Sequence, residues 1–199
     1  MLIELKSLFA TPLIKFKFTK HHLYNFPEVE KKERIPPGWL KSLNSSFGNE
    51  SGDSFLSSSK RKNLINDITE DLIVVFESLD IKPNVKISEL WYNIYHDNQG
   101  QETHDHLSSC VEKLTFFSGI YYNKNPSPTC FDRMDRYHKL TSIPQIKNSK
   151  LEDYYNDTET PVVTPGDIIL FPPWIPHSVD TGNSKKMRLT FAFNVEYNI

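Results

Sequence analysis

The sequence predicts a mainly β protein, a sandwich or jelly roll flanked by an N-terminal α-helix. Two observations carry this. After Pro83, short β-branched and aromatic runs recur, bounded by proline or turn residues. Only one stretch, 60–80, has apolar residues at helical spacing. A third observation agrees. Prolines outnumber glycines, 13 to 7, and many stand where a helix would break or a strand would end.

The elements follow in chain order. In TPLIKFKF (11–18), Leu13, Lys15 and Lys17 alternate with Ile14, Phe16 and Phe18, a two-residue period that predicts a strand. Residues 45–59 are Ser-rich and read as a loop. Its Phe47 and Phe55 suggest that the loop folds back on the body. In KRKNLINDITEDLIVVFESLD (60–80), Leu64, Ile68, Leu72, Val75, Phe76 and Leu79 recur every three or four residues, a helix with one apolar face. The serines before it offer an N-cap. Strands are expected at 85–95, 113–122, 129–134, 167–173 and 188–197, with a turn at Thr164-Pro165-Gly166-Asp167. We expect one domain over 1–199: residues 1–84 form the N-terminal strand, loop and supporting helix, and 85–199 the β core.

Composition narrows the function. The 23 Lys and Arg nearly balance 25 Asp and Glu, for a net charge of −2, which argues against general nucleic-acid binding. The apolar runs are far shorter than the ~20 residues that cross a bilayer. The N-terminus carries lysines within its apolar stretch and does not read as a secretory signal. Cys110 and Cys130 cannot build a disulfide framework and read as inert, which suits a reducing, cytoplasmic setting. Trp91 and Trp174 read as core residues.

Three histidines stand out. His104 and His106 lie two apart in QETHDHLSS; in an extended chain both face one side and can share a metal, while Asp105 faces the other. The alternative is a pair of exposed loop histidines. His177 follows the rigid apolar entry LFPPWIPH, which suits a metal ligand or a satisfied core histidine. Arg188 opens the apolar strand RLTFAFN. Buried there, it needs an anion, either a ligand carboxylate or a protein one.

These features occur in order: WYNIY, a glutamine, H-x-H, SGIYY, a Pro-Gly turn, LFPPWIPHSV and RLTFAFN. Over roughly 86–196 the sequence resembles the 2-oxoglutarate/Fe(II)-dependent oxygenases, and most closely an oxygenase subgroup of marine bacteria and their phages. Residues 1–60 share nothing with it. The resemblance implies a double-stranded β-helix (jelly roll) whose Fe(II) is held by two histidines and a carboxylate, with open positions for 2-oxoglutarate and O₂. It implies hydroxylation of an unidentified small-molecule or protein substrate, with release of succinate and CO₂, in the cytoplasm (of a host cell if phage-encoded). Carried over, His104 and His177 are two ligands and Arg188 binds the distal carboxylate of 2-oxoglutarate. Asn93, Tyr121, Thr190 and Asn194 are expected at the cosubstrate, with Tyr121 and Tyr122 facing opposite ways.

One departure is plain: His106 stands where the family has a carboxylate. We expect His106 as the third ligand, the alternatives being a β-bulge that turns Asp105 inward or an open position. The longer segment after His106 suggests a lid, and the polar excursion at 134–163 is expected to border the site. Two other functions fit three histidines: a zinc-dependent, cupin-like hydrolase or lyase, and a jelly roll that binds without catalysis. Oligomerisation is left open.

Overall fold

The computed structural model describes residues 11–30, 35, 38–41, 43–47, 55–82, 84–107, 115–134, 158–181 and 186–197. Most of the expected lid after His106 and of the 134–163 excursion lies outside these residues, as do Cys110 and the middle of the Ser-rich loop.

Ten strands and one α-helix form the described chain: β1 (Ile14–Lys17), β2 (Asn44–Ser45), α1 (Ser58–Ser78), β3 (Val85–Tyr95), β4 (Gln101–His104), β5 (Thr115–Lys124), β6 (Thr129–Asp132), β7 (Thr158–Glu159), β8 (Asp167–Phe171), β9 (His177–Val179) and β10 (Arg188–Tyr197). Their pairings are antiparallel. They build a six-stranded sheet, β1-β8-β5-β10-β3-β2, and a four-stranded sheet, β4-β9-β6-β7. This is the jelly roll expected from the sequence.

The helix begins where the serines predict, with Ser57 Oγ accepting from the Lys60 amide at 3.4 Å. Leu64, Ile68, Leu72 and Phe76 are its buried stripe. Val75 is only half-buried, and Leu79 is exposed because the helix ends at Ser78 and Leu79 is its C-cap. Thr19 and Lys20 tie the segment after β1 to α1, through Asp71 at 2.7–2.8 Å and Asp67 at 2.8 Å. The 164–167 turn forms as predicted. Asp167 Oδ2 accepts from the Thr164 amide at 2.7 Å, and Gly166 takes φ +90°, which a side chain would disfavour.

The large sheet has two different faces because side chains alternate along its strands. On β10, Leu189, Phe191, Phe193 and Val195 join the core under α1, with Leu64, Ile68, Leu72, Phe76, Tyr121 and Ile168. A second core lies between the sheets, built of Ile120, Tyr122, Phe131, Ile169, Phe171 and Ile175. Phe55 folds back as expected, against Phe26 and Tyr92 at ring separations of 5.3 and 4.9 Å.

One close approach is sequence-specific. Phe193 pairs with Gly119 across β10 and β5, and a Cβ at Gly119 would lie 2.2 Å from the ring of Phe193. That ring is fully buried and cannot swing aside. Gly119→Ala is therefore expected to destabilise the fold by about 1–3 kcal/mol, read as a lower urea midpoint. An unchanged midpoint would refute this packing.

Candidate active site

The site lies between the sheets, on the face of β10 and β3 turned away from α1. A pocket is lined by Trp91, Asn93 and Tyr95 from β3, by Arg188, Thr190 and Ala192 from β10, and by His104, His106 and His177, among others. Six of the residues singled out in the sequence therefore meet in one cavity: the three histidines, Arg188, Asn93 and Thr190.

His104 and His177 pair directly across β4 and β9. Their rings are 4.2 Å apart, and His106 lies 5.5 and 5.2 Å from them. The ligand atoms of all three lie within 4.8 Å of one another, close enough for one metal ion. His106 reaches the cluster differently from the expectation. β4 ends at His104, and His106 is held by its own amide, which donates to the Pro173 carbonyl at 2.7 Å. Asp105 is exposed and its Oδ1 accepts from the Leu107 amide at 3.0 Å, so no bulge turns it inward.

Each imidazole is oriented by an acceptor at Nδ1: the Glu102 carbonyl at 2.9 Å for His104, the Ile175 carbonyl at 3.0 Å for His177, and Asn194 Oδ1 at 3.0 Å for His106. A carbonyl oxygen only accepts, so Nδ1 carries the hydrogen and Nε2 carries the lone pair. Three Nε2 donors in one cluster fit a divalent transition ion that favours imidazole. Burial holds all three pKa values below the usual histidine range, with the neighbouring imidazoles adding to the effect at His106 and His177, and that of His106 down to about 4.

Arg188 is 1% exposed. Its Nη1 donates to Ser127 Oγ at 2.7 Å and, more weakly, to the Asp180 carbonyl at 3.3 Å; Nη2 donates to the Gln99 carbonyl. Its guanidinium carbon sits 5.0 Å from the centre of the Tyr95 ring. Nε has no acceptor, and among the described residues no carboxylate forms an ion pair with Arg188. Asp97 interacts with its charge without a hydrogen bond, and a buried cation with a spare donor and no carboxylate in direct contact among the described residues suits an anionic ligand.

Two expected cosubstrate contacts are corrected. Tyr121 faces α1: it packs on Phe18 and Phe191, and its hydroxyl bonds His21 Nδ1 at 2.6 Å and Asn123 at 2.8 Å. Tyr122 takes the inner face, its hydroxyl 2.8 Å from Thr129 Oγ1. Asn194 stands behind His106 rather than in the pocket lining. Trp174, expected in the core, is 44% exposed, whereas Trp91 is buried and lines the pocket.

The sequence left several participants unseen. Gln101 accepts from the Tyr95 hydroxyl at 3.0 Å, which turns its amide nitrogen to His104 Nε2 at 3.1 Å. Strict alternation would put positions 101 and 104 on opposite faces; an irregularity in the β4–β9 register brings them together. Gln99 and Asp180 contribute only carbonyl oxygens, which leave no mark in a sequence. Trp39, Phe47 and Trp91 form an aromatic arc from His104 round to His106, with successive rings 5.3–6.2 Å apart.

Comparison with known proteins agrees with this geometry. A family model described as "Putative 2OG-Fe(II) oxygenase" matches residues 89–194, more than half of the chain. The chain belongs to this 2OG-Fe(II) oxygenase family. No curated protein sequence matches it. Among solved structures, HygX from Streptomyces hygroscopicus, with nickel and 2-oxoglutarate bound, aligns at TM-score 0.54 and 12% identity over 95% of this chain and 84% of that one. SnoK, a non-heme alpha ketoglutarate dependent carbocyclase from nogalamycin biosynthesis, aligns at 0.55 and 8% over 94% and 80%. An oxidoreductase of the 2OG-Fe(II) oxygenase family from Burkholderia pseudomallei aligns at 0.50 and 11% over 73% of this chain, which spans only 59% of that protein. At such identities the likeness is one of fold. Among the described residues no helix is long and apolar enough to cross a membrane.

The histidine cluster makes the metal-free chain acid-sensitive. Unfolded, these imidazoles protonate near 6.5; folded, they resist it, His106 down to about 4. Between those values the unfolded chain binds more protons, so stability falls as pH drops from 6.5 toward 4. His106 alone contributes roughly 3 kcal/mol to that loss. Urea unfolding of metal-free protein across this range checks it; a pH-independent midpoint contradicts it.

Proposed function

We propose that the chain is an Fe(II)- and 2-oxoglutarate-dependent oxygenase that hydroxylates an unidentified substrate and releases succinate and CO₂. The observation that carries this reading is one cavity lined by three imidazoles whose ligand atoms lie within 4.8 Å of one another and by a buried guanidinium. Within the family we assign the chain to the subgroup of marine bacteria and phages, on its H-x-H pattern, acting in the cytoplasm. We read 1–199 as one domain, with 1–84 bracing the core at 85–199.

His104, His106 and His177 would hold the iron, which when bound supplies the one- and two-electron chemistry that activates O₂ and splits the cosubstrate. Arg188 receives the distal carboxylate of 2-oxoglutarate. Its own hydrogen bonds to Ser127, Gln99 and Asp180 fix the fork before the ligand arrives, which lowers the ordering cost of binding. Asn93 and Thr190, cross-strand partners on the pocket floor, offer an amide and a hydroxyl beside it. Trp91, Ile120 and Ala192 line the same pocket and keep water out. Because the protein donors are all neutral imidazoles, the anionic cosubstrate would bring the only negative charge bound directly to the metal.

Adding Fe(II) and 2-oxoglutarate to metal-free protein under anaerobic conditions is expected to produce a weak visible charge-transfer band. His104→Ala and His177→Ala abolish it through loss of iron; Arg188→Met abolishes it while iron binding persists. Aerobic turnover releases succinate. Zn²⁺ retained through purification, with no band and no succinate, would favour a hydrolase or lyase.

Gly100 provides a subtler test. A Cβ there would lie 2.5 Å from the Val179 carbonyl and 2.9 Å from the Thr181 amide, both backbone. Gly100→Ala must therefore displace the segments just before β4 and just after β9, whose Gln99 and Asp180 carbonyls hold Arg188. We expect 2-oxoglutarate affinity to fall about tenfold, a loss of about 1.4 kcal/mol, with metal affinity less affected. Equal affinities would argue against a carbonyl-braced arginine.

A further inference from the structure

Behind His106 lies a row of three polar residues, of which the metal-site reading uses only Asn194. Glu89, Asn194 and Ser118 are register partners across β3, β10 and β5, so their side chains stand side by side on the sheet face toward the site. Asn194 Nδ2 donates to Glu89 Oε2 at 3.0 Å. A carboxylate accepts and does not donate, so this bond fixes which end of the amide faces Glu89. Asn194 Oδ1 is thereby presented to Ser118 Oγ at 2.9 Å and to His106 Nδ1 at 3.0 Å, while Ser118 Oγ itself lies 2.8 Å from His106 Nδ1. Asn194 and Ser118 are buried and Glu89 is half-buried.

His104 and His177 take their orientation from backbone carbonyls, which cannot rotate. His106 depends on a side-chain amide, which would present a donor instead if it turned over. We propose that Glu89 is a positioning residue that acts through Asn194: it locks the amide, keeps His106 with hydrogen on Nδ1 and its lone pair on Nε2, and places one hydrogen bond further out the negative charge that a directly bound carboxylate would bring. The inference rests on the three-histidine reading of the metal site. Three neutral donors give the site no charge of its own, and a carboxylate coupled through a polarised amide raises the basicity of the imidazole.

Glu89→Ala, Glu89→Gln and the exchange Glu89→Gln with Asn194→Asp test it. The exchange keeps the hydrogen-bonded chain but moves the carboxylate next to His106. Two readouts are used: the His106 tautomer from ¹⁵N NMR of metal-free protein, and Co(II) affinity by titration, each alongside the urea midpoint. We expect Glu89→Ala to mix the tautomers and weaken Co(II) binding about 10- to 100-fold. We expect Glu89→Gln to fall between that and the native protein, and the exchange to restore affinity to within a few-fold of native. A merely structural role would not predict that recovery. Native-like tautomer and affinity in Glu89→Ala, or failure of the exchange in a folded protein, would overturn the inference alone. A native chain that binds no Co(II) would overturn the metal-site reading and the inference with it.

Discussion

The constraint on which the rest depends is the pairing of β10 with β3 on one side and β5 on the other. Arg188 faces Tyr95, Thr190 faces Asn93 and Tyr122, Ala192 faces Trp91 and Ile120, and Asn194 faces Glu89 and Ser118. Each is a row across the sheet, and together the rows form the floor of the pocket and the support for His106. The intervening residues of β10 fill the core under α1. A slip of one residue would exchange the two sets, sending Phe191 and Phe193 into the pocket and Arg188 into the helix-side core. The apolar core thus holds the polar floor in place, because both lie on the same strand.

The roof is made differently. His104 and His177 come from short strands of the small sheet, and His106 from the chain just beyond β4. None lies in a regular ladder long enough to hold a side chain by alternation alone. Backbone carbonyls do that work for two of them, and the sheet floor does it for the third through Asn194. Burial keeps the rings neutral at physiological pH, which leaves their lone pairs available and avoids the repulsion of three clustered cations. The same burial makes the metal-free protein vulnerable to acid.

Arg188 shows the opposite treatment of charge. It is buried, always protonated, and hydrogen-bonded to carbonyls and a hydroxyl beside the face of a tyrosine, while Asp97 acts on it only through its charge. A protein carboxylate would satisfy it better in the empty state but would compete with any anionic ligand. Dipoles reduce the cost of burying the cation without cancelling its charge.

Much of this was legible in the sequence because it depends on local pattern. A period-two run marked β1, β-branched and aromatic runs marked β3, β5, β8 and β10, the three-and-four spacing marked α1, and the chemistry of His104, His106, His177 and Arg188 stood out residue by residue. What could not be read locally was direction. Tyr121 and Tyr122 are equivalent in a strand until one face is known to meet a helix, and Asn194 could serve a cosubstrate or a histidine until β4 is docked. Gln101 joins His104 only through an irregular register, and the carbonyls that hold Arg188 are common to every residue. Sequence by itself determined which side chains were available and the period at which they alternate, since both are properties of neighbouring residues. Tertiary structure alone decided which face each would take and which partner it would meet, since those depend on strands distant in the chain coming into register.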